Sequence, residues 1–82
     1  VAQLPKIDVF SYDADHSEDA TRKGFEHFAP CFADEVVAIV DDWNMGEVQQ
    51  GTRAGIEAIG RKVVFEVALA EWWMGYYVAV LR

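Results

Sequence analysis

Residues 7–16 read Ile-Asp-Val-Phe-Ser-Tyr-Asp-Ala-Asp-His, and residues 35–44 read Glu-Val-Val-Ala-Ile-Val-Asp-Asp-Trp-Asn. Each segment is an apolar run that ends in acids. Short β-branched runs predict buried strands, and parallel strands are joined through an intervening helix. Because the carboxyl ends of such strands meet at one edge of the sheet, where open α/β sheets bind ligands, we predict an acidic rim there. Its members are Asp13, Asp15, Asp41 and Asp42, with His16 beside them.

Helical patterns follow both runs. Ser17 is a candidate N-cap for a first helix, which should end shortly before Pro30. Asn44 and Glu47 have the three-residue spacing of a capping box, which predicts the start of a second helix. Gly60 is a typical C-terminal stop for that helix.

Two further strands complete the pattern. Residues 62–69 and 76–81 are rich in β-branched and aromatic side chains. The few residues between them leave no room for a crossover helix, so these strands should be antiparallel. The predicted order is β-α-β-α-β-β, an α/β fold whose last strand is antiparallel. The 82 residues hold a single domain at most.

Composition excludes several classes of protein. The chain has 7 Lys and Arg against 14 Asp and Glu, a net charge of −7, so no nucleic-acid partner is expected. No membrane span or signal peptide appears. The single cysteine, Cys31, cannot form an intrachain disulfide, and a reducing, cytoplasmic location is expected. Because 52% of the residues are hydrophobic, we expect apolar surface that something else covers.

The acidic rim suggests a metal site. Carboxylate oxygens suit Mg²⁺, Ca²⁺ or Mn²⁺ and not zinc. His16 could accept a proton from a substrate hydroxyl near neutral pH, and Trp43 could form a wall of the substrate site. Other interpretations remain open at this point: Asp15 as a helix cap, Asp42 as a partner of loop amides, and His16 as an exposed loop residue.

The pattern from Ile7 to Ser17, followed by that from Val36 to Trp43, resembles the class I methyltransferases that use S-adenosylmethionine. The most similar types are small-molecule O-methyltransferases with Asp-x-Asp-His-Ser and Asp-Asp-aromatic motifs. The ending Gly75-Tyr76-Tyr77-Val78-Ala79-Val80-Leu81 is similar to their last strand. The resemblance implies a Rossmann-like sheet and Mg²⁺. It also implies these roles: Asp13, Asp41 and Asp42 as metal ligands, His16 as the catalytic base, and Asp13 with Ala14 at the methionine end of the cofactor.

The resemblance covers nearly the whole chain but only the C-terminal half of the family's domain. No Gly-x-Gly-x-Gly turn opens a helix; Gly51, Gly55 and Gly60 fall within or after one. We therefore interpret residues 1–82 as a single partial domain from which the cofactor-binding N-terminal half is absent, and S-adenosylmethionine is expected in a complete domain only. The implied sheet order places the last strand inside the sheet and both helices on one face.

Three functional hypotheses follow, the third being a binding module for a metal ion alone. The first is the C-terminal portion of a metal-assisted O-methyltransferase that acts on a small hydroxylated molecule such as a sugar or phenol. The second is a non-catalytic, stand-alone half-domain that oligomerises and binds a ligand or protein. Because one sheet face would lack helices, we expect either a homo-oligomer or docking on the missing N-terminal half.

Overall fold

A computed structural model of the chain describes residues 6–13, 17–72 and 74–82. Strands and helices alternate as far as the third strand, and a fourth strand follows it directly, which confirms the α/β prediction. The strands are β1 (Ile7–Tyr12), β2 (Phe32–Asp41), β3 (Val63–Ala70) and β4 (Gly75–Leu81). The helices are α1 (Glu18–Phe28) and α2 (Gly46–Ala58), and a short 3-10 helix (Ala29–Cys31) follows α1. No helix in the described ranges is long and apolar enough to cross a membrane.

The four strands form one mixed sheet in the order β1-β2-β4-β3. β1 and β2 are parallel, with Tyr12 opposite Val40. β4 is antiparallel to both of its neighbours, β2 and β3. β2 begins at Phe32, earlier than the predicted start at residue 35, because the 3-10 turn brings the chain directly onto the sheet, where Phe32 pairs with Ile7.

Both helices pack on the same side of the sheet. The ring of Phe25 in α1 lies 5.1 Å from the ring of Phe10 in β1, measured between centroids. The guanidinium of Arg53 in α2 lies 5.8 Å from the ring centroid of Tyr77 in β4. Burial alternates along β4, and the buried set faces the helices. The buried core comprises Phe10, Phe25, Phe32, Val36, Ala38, Val40, Trp43, Val48, Ile56, Tyr77, Ala79 and Leu81.

The two helices approach each other closely through glycines. Gly51 and Gly55 are four residues apart and therefore lie on one face of α2. A Cβ atom at Gly51 would lie 2.7 Å from the Cβ of Thr21 and would overlap the carbonyl oxygen of Glu18. A Cβ atom at Gly55 would lie 2.9 Å from the Cβ of Phe25. Side chains at these positions would force α1 away from α2.

The helix ends test the predicted caps. The Oγ of Ser17 accepts a hydrogen bond from the N–H of Ala20 at 3.1 Å, so the predicted N-cap of α1 is confirmed. The predicted capping box at Asn44 is wrong: α2 begins at Gly46, and its N-cap, Met45, makes no side-chain hydrogen bond. The cause is a turn in which the N–H of Met45 donates to the carbonyl oxygen of Asp42, so the helix starts later.

Candidate metal centre

Three carboxylates converge at the edge of the sheet where β1 and β2 end. Asp13 follows Tyr12, and Asp41 ends β2 directly after Val40, which pairs with Tyr12 in the parallel ladder. One ligand oxygen from each of Asp13, Asp41 and Asp42 lies within 4.8 Å of the other two. The parallel pairing thus brings together the three residues predicted as metal ligands.

Backbone hydrogen bonds hold the loop that carries Asp41 and Asp42. The Oδ1 of Asp41 accepts the N–H of Asp42 at 2.8 Å. The N–H of Trp43 donates to the carbonyl oxygen of Gly75 at 3.2 Å, which ties the loop to β4. Asp42 has a φ of 58°, a left-handed conformation that aspartate adopts more readily than most residues. The amide of Asp42 is therefore satisfied by the carboxylate of Asp41, which lies beside Asp13.

Mutual repulsion opposes this arrangement. Two unit negative charges 4–5 Å apart repel by about 1 kcal/mol in water and about 4 kcal/mol in surface-like surroundings. Asp13 is exposed, while Asp41 and Asp42 are half-buried, so water screens part of the repulsion. A cation bound between them would convert this unfavourable term into attraction.

Trp43, predicted as a substrate wall, lies in the core. Its side chain is 4% exposed. Its ring stacks on that of Tyr77 at a centroid distance of 4.0 Å and an interplanar angle of 11°. The guanidinium of Arg53 lies 5.7 Å from the Trp43 ring centroid. Because the ring is buried and stacked on Tyr77, Trp43 offers little surface to a ligand in this conformation, and its substrate role stays a prediction.

Tyr77 connects the core to a charged pair on the helix side of the sheet. Its hydroxyl donates to Oε1 of Glu66 at 2.6 Å. The same oxygen lies 3.7 Å from Nη1 of Arg53. Burial, followed by the hydrogen bond to Glu66, raises the pKa of the Tyr77 hydroxyl well above its ordinary value. The neutral tyrosine is therefore the form that the fold stabilises.

The raised pKa of Tyr77 predicts loss of stability at high pH. Above about pH 10 an unfolded tyrosine ionises while the folded one keeps its proton, so stability falls as pH rises towards the folded-state pKa. We expect Tyr77→Phe to lower the free energy of unfolding by about 1 kcal/mol at neutral pH, because the hydrogen bond to Glu66 is lost. The variant should also lose less stability than wild type as the pH rises above about 10.

Urea unfolding at neutral pH and at about pH 11 measures both effects. Tyr76→Phe is the matched control: its ring is half-exposed on the face of β4 opposite Tyr77, so the stability at neutral pH should change little. Equal alkaline slopes for Tyr77→Phe and wild type would contradict the assignment.

Several predicted site residues fall outside the described residues. These are Ala14, predicted at the methionine end of the cofactor, Asp15, and His16, predicted as the base. Their roles stay predictions.

A cavity of about 390 Å³ lies at the amino-terminal ends of both helices. It is lined by Ser17, Glu18, Asp19, Arg22 and Glu47. Arg22 pairs with Asp19 at 2.6 Å and also with Glu26, so the lining is acidic overall and does not favour an anion. The sequence patterns did not predict this cavity, although first-turn residues after strands that end at one edge are a usable signal.

The geometry defines an α/β protein with an acidic cluster at the carboxyl edge of two parallel strands. No protein-family model, no curated protein and no solved structure matches the chain.

Proposed function

We propose that this chain forms the C-terminal portion of a metal-assisted, S-adenosylmethionine-dependent O-methyltransferase that acts on a small hydroxylated molecule. The observation that carries the proposal is the convergence of Asp13, Asp41 and Asp42 at the ends of adjacent parallel strands. Ligands of open α/β sheets bind at this edge.

The donor set fits a hard divalent cation. Oxygen ligands lie about 2.1 Å from Mg²⁺ and about 2.4 Å from Ca²⁺, so two oxygens on opposite sides of the ion are about 4.2 Å and about 4.8 Å apart, respectively. The carboxylate oxygens here lie within 4.8 Å of one another. The upper bound of 4.8 Å is compatible with the oxygen separations around each of these hard divalent cations.

Each proposed site residue would have a distinct role in the reaction. When bound, the cation lowers the pKa of an acceptor hydroxyl and orients its oxygen. Asp13, Asp41 and Asp42 would hold the ion. His16, three residues after Asp13, would accept the hydroxyl proton as the base. The acidic cavity lined by Arg22 and the helix ends favours a neutral, hydroxyl-rich acceptor over an anionic one.

The sheet supports the proposed half of a Rossmann-like methyltransferase domain. Its order, β1-β2-β4-β3 with β4 antiparallel, corresponds to the order that the sequence resemblance implies for the second half of that fold. The sequence contains no Gly-x-Gly-x-Gly turn, so we propose that S-adenosylmethionine binds only when this part is combined with an N-terminal half. Asp13 and Ala14 would then meet its methionine end.

The alternative function is a non-catalytic half-domain that oligomerises and binds a ligand or protein. The exposed apolar side chains of β3, among them Phe65 at 60% exposure, favour this alternative. Calorimetric titration separates the two: a catalytic portion joined to its N-terminal half binds S-adenosylmethionine, and a stand-alone half-domain does not.

Thermal unfolding with and without divalent cations tests the metal site. Binding to the folded state adds about 2.7 kcal/mol at a hundredfold excess over the Kd, a rise of roughly 10 °C or more in Tm for a chain of this size. We expect Ca²⁺, Mg²⁺ or Mn²⁺ to give such a rise at constant ionic strength.

Asp41→Asn sharpens the test because an asparagine oxygen can still accept the N–H of Asp42. Without metal, this variant should be more stable than wild type, since one repulsive charge is gone. With metal, it should lose the stabilisation. Asp34→Asn is the matched control: it removes a charge from the other end of β2, about 20 Å away, and should leave the metal response intact. An undiminished response in Asp41→Asn would remove Asp41 from the ligand set.

A further inference from the structure

The side of the sheet opposite the helices, here called the open face, is apolar across all four strands. Strand pairing places Val9, Val37 and Val80 in one row, and Ile39, Val78 and Val67 in another. The complete set is Val9, Val37, Ile39, Phe65, Val67, Leu69, Tyr76, Val78 and Val80. Ser11, in the edge strand β1, and Asp41, at the carboxyl end of β2, share this face in the pairing register.

No helix of the described residues lies over the open face, because both helices pack against the Phe10 side. Its outer members are correspondingly exposed, for example Val67 at 55%. The exposed apolar area is on the order of 600 Å², at the upper end of what the largest patch on a monomer shows. A face of this size and composition marks an interaction surface.

We propose that a second copy of this chain covers the open face, sheet against sheet, in a twofold-symmetric dimer with the helices outside. A standard interface takes about 800 Å² from each partner, which the open face and its margins nearly supply. Sheets that pack face to face lie about 10 Å apart, and apolar side chains from both inner faces interdigitate. The dimer would have four layers, α-β-β-α. The proposal goes beyond the proposed function and does not depend on metal or cofactor.

Charge and symmetry favour a second copy over a partner of different chemistry. Apart from Ser11 and Asp41, the open face consists of apolar side chains, so most of it has no group that selects a charged or polar partner. An isologous dimer needs only one self-complementary patch. Each chain carries a net charge of −7, so the copies repel at long range. Because salt screens this repulsion within about 8 Å at physiological ionic strength, added NaCl should strengthen the dimer.

Sedimentation equilibrium tests the dimer. Wild-type protein should have twice the chain mass of 9.2 kDa at high concentration, with a Kd in the range of about 1 μM. Val67→Lys places an unpaired charge in the interface of both copies and should weaken association about a hundredfold. Ala68→Lys is the matched control. Ala68 follows Val67 in β3 and points to the opposite face of the sheet, so this variant should leave the dimer intact.

Further measurements keep the test decisive. Leu69→Lys, on the same face as Val67, provides a second variant if Val67→Lys does not fold. The wild-type Tm should also rise with protein concentration, as it does for any folded dimer. A wild-type mass of 9.2 kDa at every concentration would overturn the proposal and leave the face to a different protein. If Val67→Lys and Ala68→Lys weakened the dimer equally, the proposal would be overturned. The two copies would then associate through the edge of β3 and not through the open face. Neither result affects the metal response assigned to Asp41.

Discussion

Gly51→Ala is expected to lower the free energy of unfolding by about 2–3 kcal/mol. The added Cβ would meet the Cβ of Thr21 at 2.7 Å and overlap the carbonyl oxygen of Glu18. Because a backbone atom cannot rotate away, α1 as a whole must shift and loosen its packing on the sheet. Alanine has a higher helix propensity than glycine, which stabilises α2 by about 1 kcal/mol, but this gain is smaller than the cost of moving α1.

Gly46→Ala is the matched control in the same helix. A Cβ at Gly46 would have no heavy atom within 4 Å, so stability should stay the same or rise by less than about 1 kcal/mol. Urea unfolding of both variants gives the difference directly. If the two variants were equally stable, α1 and α2 could not be in the close contact described.

Phe25→Ala is expected to lower the free energy of unfolding by about 3–5 kcal/mol. Phe25 is fully buried, and its ring meets that of Phe10 edge to face. Truncation leaves a cavity between α1 and the sheet, bounded also by α2 at Gly55. A chain of this size has only about 4–12 kcal/mol of stability, so the variant should be close to unfolding at room temperature.

Phe28→Ala, one turn later in α1, removes the same type of side chain from a less buried position. The comparison therefore shows how much of the effect at Phe25 comes from burial. Phe28 also lies near Phe10, at 5.6 Å between ring centroids, but it is partly exposed. Its truncation should cost about 1 kcal/mol. Thermal unfolding followed by circular dichroism compares the two variants, and a cost at Phe28 that equals the cost at Phe25 would refute the assigned core.

Local patterns were sufficient to predict most of the secondary structure. Alternating and continuous apolar runs depend only on near neighbours in the chain, so the strands and helices could be predicted within a few residues. The cap at Ser17 was also predictable, because its hydrogen bond to Ala20 is local. The cap at Asn44 was not, because a competing turn between Asp42 and Met45 depends on how the loop is held against Gly75.

The candidate metal centre was partly predictable. Asp13, Asp41 and Asp42 could be placed together because parallel strands end at the same edge. The burial of Trp43 could not be predicted, since its neighbours, Tyr77 in β4 and Arg53 in α2, are remote in sequence. A tryptophan beside an acidic motif has the same local pattern whether it faces a ligand or the core.

The sequence by itself determined the α/β order, the strand ends that carry the acids, and the net negative charge, because periodicity and composition are properties of the chain. The tertiary structure alone decided three features: how closely α1 approaches α2 at Gly51, that the hydroxyl of Tyr77 donates a hydrogen bond to Glu66, and which apolar residues lie on the open face. The physical reason is that each of these depends on distances between segments far apart in the chain, and those distances are set only when the sheet and both helices pack together.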